Sequence, residues 1–124
     1  MAENEPYYDK KEQLATVQAG LLPDEQVFAV YDGKDVGTGF IGLTDKRVIL
    51  QDNSFAGGRV AVTSLPYGRI MSVSYLSNAS VFGRFTEEAT IVIAVSGATY
   101  EVVLRGADKA KHTHDVIVHY ITHT

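Results

Sequence analysis

The sequence predicts a mainly β protein with helices: a short N-terminal helix, about seven antiparallel strands in a curled, partly open barrel, and a C-terminal helix that caps it. Three observations carry this prediction. Short runs rich in β-branched residues recur through the middle of the chain, at Val48-Ile49-Leu50, Val60 with Val62, and Met71-Val73-Tyr75. Turn-forming clusters separate them, Asp52-Asn53-Ser54 with Gly57-Gly58, then Pro66-Tyr67-Gly68. Apolar residues fall at three- and four-residue steps only towards the two ends.

The elements follow in order. Residues 1–8 are polar and expected to be disordered. Asp9 followed by Glu12 forms an Asp-headed capping box, which opens a helix from Asp9 to Ala19. Leu14, Val17 and Leu21 share one face of it, Gly20 suits a left-handed closing residue, and Pro23 forbids continuation. So short a helix is unstable alone and must pack its stripe on something. Strands are expected at Gln26 to Tyr31, Val36 to Leu43, Arg47 to Gln51, Val60 to Ser64 and Ile70 to Tyr75. In the last, Met71, Val73 and Tyr75 make a buried face against wet Ser72 and Ser74. Leu76 to Phe85 reads as a long loop. Glu87 to Val95 and Ala98 to Leu104 then form a hairpin about a Ser96-Gly97 turn, with Ile91, Ile93, Val95, Tyr100, Val102 and Leu104 inward. The second helix, 107–122, turns Ala110, Thr113, Ile117, Tyr120 and Ile121 inward, with Val116 beside them.

A chain of 124 residues is enough for one domain with its own core, so 1–124 is read as a single unit. The formal charge of −4 opposes nucleic acid and anionic membrane as default partners, since both require a cationic field. With no cysteine, disulfides and thiolate metal sites are excluded. The N-terminus has no secretory pattern and no apolar run approaches a membrane span, so a cytoplasmic location is expected. Without a secretion signal, the Asn78-Ala79-Ser80 sequon carries no weight.

Two phrases carry a family resemblance. Leu43 to Asp52, LTDKRVILQD, and Thr63 to Tyr75, TSLPYGRIMSVSY, are similar to motifs of the bacterial pleckstrin-homology domain family, with Thr44, Lys46, Arg47, Leu65, Pro66, Tyr67 and Ile70 at the matching positions. A looser third phrase has Leu22, Glu25 and Val27. The likeness spans roughly Leu21 to Ile121. It implies a barrel of strand hairpins closed by a C-terminal helix, and a role in interaction or oligomerisation rather than catalysis.

The remaining constellations are weaker than their structural alternatives. Gly37-Thr38-Gly39-Phe40-Ile41-Gly42 matches a dinucleotide fingerprint, but a strand pattern follows it where a helix is required; these glycines let a curled strand bend or approach a neighbour. His119 and His123 share a helix face and are the candidate metal ligands, lacking a third; no metal or cofactor is expected. Lys46, Arg47, Arg59, Arg69 and Arg84 are the candidate anion or lipid contacts. In lipid-binding relatives the first hairpin loop supplies several cations, whereas Asp32-Gly33-Lys34-Asp35 has two acids and one base. Arg47 and Arg69 are instead expected to pair with acids such as Asp45 and Asp52, or with backbone carbonyls. Adjacent Glu87 and Glu88 point to opposite faces of a strand, and no G-x-S-x-G elbow occurs, so no enzyme is expected.

The favoured reading is a non-enzymatic interaction or self-assembly module, with itself or another protein as partner. Its expected interface consists of exposed apolar residues, Tyr7, Tyr8, Leu14, Phe82 and Phe85. A peripheral anionic-lipid binder and a small-molecule or metal binder are the alternatives.

Overall fold

The computed structural model describes residues 5–34, 38–53, 58, 60–79 and 85–123, of which 38, 77–79 and 85–87 are described in backbone only. The order is β1 (Tyr7–Tyr8), α1 (Lys11–Ala19), β2 (Val27–Asp32), β3 (Thr38–Thr44), β4 (Arg47–Asp52), β5 (Ala61–Pro66), a 3₁₀ turn (Tyr67–Arg69), β6 (Ile70–Ala79), β7 (Phe85–Val95), β8 (Ala98–Leu104) and α2 (Ala107–Thr122). Among the described residues the strands form one five-stranded sheet, β1-β2-β3-β4-β5, and one three-stranded sheet, β6-β7-β8.

The sheets enclose the main core, in which Ile41, Leu43, Val48, Ile91, Ile93 and Leu104 are fully buried. Helix α2 plugs it with Ala110, Thr113 and Ile117, while Val116, Tyr120 and Ile121 pack at the margin, as the helical spacing predicts. The β7–β8 hairpin is also as expected, with Ile93 opposite Tyr100, Ile91 opposite Val102, and Gly97 at φ 84° in the turn. The sheets touch at one corner, where Gly33 bridges to Leu104 and the Lys34 N–H donates to the Val103 carbonyl at 2.8 Å.

A second core lies on the outer face of the larger sheet. There Leu14 and Val17 of α1, with Leu21, cover Val27, Val30, Phe40 and Ile49. Strands β2 to β4 are therefore buried on both faces, which explains their nearly continuous apolar runs. The glycine-rich stretch serves this packing. A Cβ at Gly39 would meet the Gln51 carbonyl oxygen at 2.7 Å, and one at Gly42 would meet Val17 at 3.2 Å. Gly37 lies outside the described residues.

Several expectations need correction. Tyr7 and Tyr8 are not disordered but pair in parallel with Ala29 and Val30, covering the outer edge of β2. Asp9 does not cap α1, whose N-cap is Lys10. Its carboxylate instead accepts the Asp32 N–H at 2.9 Å and an ion pair from Lys109 at 2.6 Å, tying β2 to α2. Gly20 closes α1 at φ −106°, outside the left-handed region. Leu76 to Ala79 and Phe85 belong to long strands rather than to a loop. In β6 the expected face fails at its start: Ile70 is opposite Val95 and Ser72 opposite Ala94, so Met71 is the extra residue of a bulge and turns outward. Val73 keeps the inward phase and packs against the core, but Tyr75, also expected inward, is exposed.

Candidate functional site

The motif phrases converge on a polar network rather than on a ligand site. Thr44 ends β3, Arg47 begins β4, and the segment after α1 brings Glu25 between them. Arg47 donates from Nε to Glu25 Oε2 at 2.8 Å and from Nη2 to Oε1 at 2.9 Å, a bidentate pair. Glu25 also accepts the Thr44 hydroxyl at 2.7 Å and the Leu22 N–H at 2.8 Å. Arg47 further donates to the Gly20 carbonyl and to Ser64 Oγ, and the Tyr67 hydroxyl donates to the Thr44 carbonyl at 2.6 Å. Hydrogen bonding from Arg47 holds the Glu25 carboxyl down at about 2, against the opposing effect of burial. All these partners are internal. The network clamps α1, the β3–β4 turn and the start of the 3₁₀ turn together.

Arg47 is thus committed to Glu25, not to Asp45 or Asp52, and is removed from the anion candidates; its contact with the Gly20 carbonyl does match the expectation of a backbone partner. Lys46 and Arg69 are exposed, with no ion pair among the described residues, and Arg59 and Arg84 lie outside those residues. In the first hairpin loop, Lys34 is paired with Glu88. Asp32, at the end of β2, is buried and held by Gln13, Lys10 and Arg105, so its charge is also internal.

The histidine helix divides by face. His112 Nδ1 lies in hydrogen-bond contact with the Tyr31 hydroxyl at 2.6 Å, and its ring meets that of Tyr7 edge-on; burial lowers its basicity. His114 lies edge-on to Tyr75, at 5.0 Å between ring centroids. His119 and His123 stack on each other at 4.3 Å, with His123 Nδ1 2.6 Å from the His119 carbonyl oxygen. Among the described residues no three His, Cys, Asp or Glu side chains cluster as metal ligands.

The interface candidates scatter. Tyr7 and Tyr8 are exposed, on the covering strand of β2. Leu14 is only 8% exposed and belongs to the outer core, so it is no surface residue. Phe82 lies outside the described residues, as does the side chain of Phe85. The structure draws attention to different apolar residues: Val60 and Val62 beside and in β5, and Met71 and Leu76 in β6, are all more than half exposed. Both strands are edges, β5 of the larger sheet and β6 of the smaller. Neither AVTSLP nor IMSVSYLSNA holds a charged residue. Edge strands are ordinarily blunted by such charges. Their absence was visible in the sequence, but not that these strands were edges. A groove of about 520 Å³ also lies between β2 and α2, lined in part by Tyr7, Phe28, His112 and Tyr120. No described helix is long and apolar enough to cross a membrane.

Two sheets at a partly open corner, plugged by a C-terminal helix, define a pleckstrin-homology-like fold. The bacterial PH domain family model matches residues 21–118, and the chain belongs to that family. A pleckstrin homology domain from Shewanella amazonensis is similar with a TM-score of 0.63 at 22% identity, over 92% of this chain and 99% of that one. A DUF1696 family protein with a pleckstrin-homology domain from Shewanella loihica gives 0.60 at 20% identity, over 91% and 94%. The hSac2 domain of the human phosphoinositide phosphatase Sac2 gives 0.51 at 12% identity, over 88% and 81%. At these identities the likeness is one of fold. The search of curated proteins finds no match.

Proposed function

We propose that this PH domain is a non-catalytic self-assembly module in which the β6 edge of one copy pairs with the β6 edge of another. The observation that carries the reading is the chemistry of that edge. Strand β6 runs for ten residues without a charge, and among the described residues it is an edge of the three-stranded sheet. Met71 stands 70% exposed on it and Leu76 61%. An uncharged edge offers unpaired N–H and C=O groups to another strand, and exposed apolar side chains beside it add burial on pairing. The family's motif residues do not compete with this role, since Glu25, Thr44 and Arg47 satisfy one another.

Light scattering across a concentration series tests the proposal. A discrete oligomer is expected for the parent chain, and a monomer for the double variant Met71→Lys, Leu76→Lys with its β-sheet circular dichroism preserved. A parent chain monomeric at every concentration overturns the reading.

A further inference from the structure

The groove between β2 and α2 has a composition that selects for charge. A bulge between Val27 and Ala29 takes Phe28 out of the alternation that sends its neighbours into the two cores. Its ring lies parallel to that of Tyr120, at 6.1 Å between centroids. Tyr7, brought alongside by the pairing of β1 with β2, contributes a third ring. Two carboxylates, Glu5 and Asp115, also line the groove, while among the described residues no lysine or arginine does. Glu5 makes no ion pair among the described residues. Asp115 is met by Lys111 at 2.6 Å and by His114 at 3.2 Å, but both carboxylate and lysine are more than half exposed. Such surface pairs are weak and exchange readily. Two histidines also stand in the wall, His112, whose basicity burial lowers, and His119.

We propose that this groove binds an organic cation, an alkylammonium or guanidinium group on an apolar stem, held among the rings of Tyr7, Phe28 and Tyr120 with Glu5 and Asp115 as counter-charges. The faces of aromatic rings carry negative potential and attract cations, while the same rings bury the stem. An anion entering the groove would meet two carboxylates. A neutral apolar ligand would desolvate those carboxylates without return. The cation can come from a free amine or from an arginine or lysine side chain of a protein segment, since the recognising chemistry is the same. The site is built from β1, β2 and α2, not from the β6 edge, and stands whether or not the chain self-assembles.

The test is a titration followed by amide NMR of isotope-labelled full chain, with three probes: agmatine, the blocked tripeptide Gly-Arg-Gly, and its uncharged Gly-citrulline-Gly counterpart. Saturable shifts at Val27, Phe28 and Val116 are expected with at least one of the two guanidinium probes. The citrulline peptide should bind about tenfold more weakly or not at all. Glu5→Gln and Tyr7→Ala, both at exposed positions, should each weaken binding about threefold or more without altering the remaining spectrum. Agmatine binding as tightly as the arginine peptide supports a free amine as the ligand; binding of the peptide alone supports a protein segment. Equal binding of the citrulline peptide, shifts located elsewhere, or no shift with either cation overturns the proposal.

Discussion

At Glu25 one proton contributes to the response of the fold to acid. Arg47 holds this carboxyl at about 2 in the folded chain, against an ordinary 4.5. The unfolded chain therefore binds a proton at higher pH than the folded chain does. The pair's stabilisation is complete above pH 4.5 and is lost as pH falls towards 2. At about 1.4 kcal/mol per pKa unit, that is on the order of 3 kcal/mol. Glu25→Gln should destabilise the protein at pH 7 by about 3 kcal/mol, because it also leaves a largely buried guanidinium without its partner. Urea melts at pH 7 and pH 3 check this: the gap between parent and variant should narrow at pH 3, and a gap unchanged with pH would refute the linkage. Thr113 shows the opposite situation. Its hydroxyl is fully buried on the inward face of α2 with no hydrogen-bond partner among the described residues. Thr113→Val keeps the shape and removes the unpaired group, so stability should rise by about 1 kcal/mol in thermal melts. Residue types in the motif phrases were legible in the sequence; the partner of Arg47 was not. Glu25 lies 22 positions away, and only the return of the chain after α1 brings it to the start of β4.

Helix α1 illustrates how an element acquires its role from what it covers. Its apolar stripe of Leu14, Val17 and Leu21 was readable, and so was its need for a packing surface. Which surface it takes was not. The outer face of β2 to β4 takes the stripe, so Leu14 is a core residue rather than an interface residue. Leu14→Ala should cost about 2–3 kcal/mol in a urea melt and leave the oligomeric state unchanged. A variant with parental stability but a smaller solution mass would return Leu14 to the interface. Strand β6 makes the complementary point. Periodicity assigned Met71 to the buried face, and one bulged residue reverses that assignment while Val73 keeps its place. Bulges leave little trace in an apolar pattern, because a phase slip of one residue within a strand of mixed small residues resembles an imperfect alternation.

For the whole molecule, the significant fact is how the edges are treated. β1 covers the outer edge of β2, and the corner bridge at Gly33 ties β2 to β8. Among the described residues β5 and β6 remain as uncharged edges. If β6 pairs between copies, folding and association are linked, and the melting temperature should rise with protein concentration. That rise should vanish in the Met71→Lys, Leu76→Lys variant, and differential scanning calorimetry at two concentrations measures both. The cation groove would be unaffected by this change.

The amino-acid sequence by itself determined the fold class, the β7–β8 hairpin with its Ser96-Gly97 turn, the inward face of α2 and the packing need of α1. Each of these is set by neighbours within one element or one turn, where side-chain period and turn chemistry act directly. Tertiary structure alone decided which strands became edges, which apolar faces met, where the bulges fell and which carboxylate Arg47 took. Those outcomes depend on contacts between residues far apart in the chain, and on packing that places β1 on one edge and no described strand on another. The surfaces proposed here for assembly and for cation binding both arise at that second level.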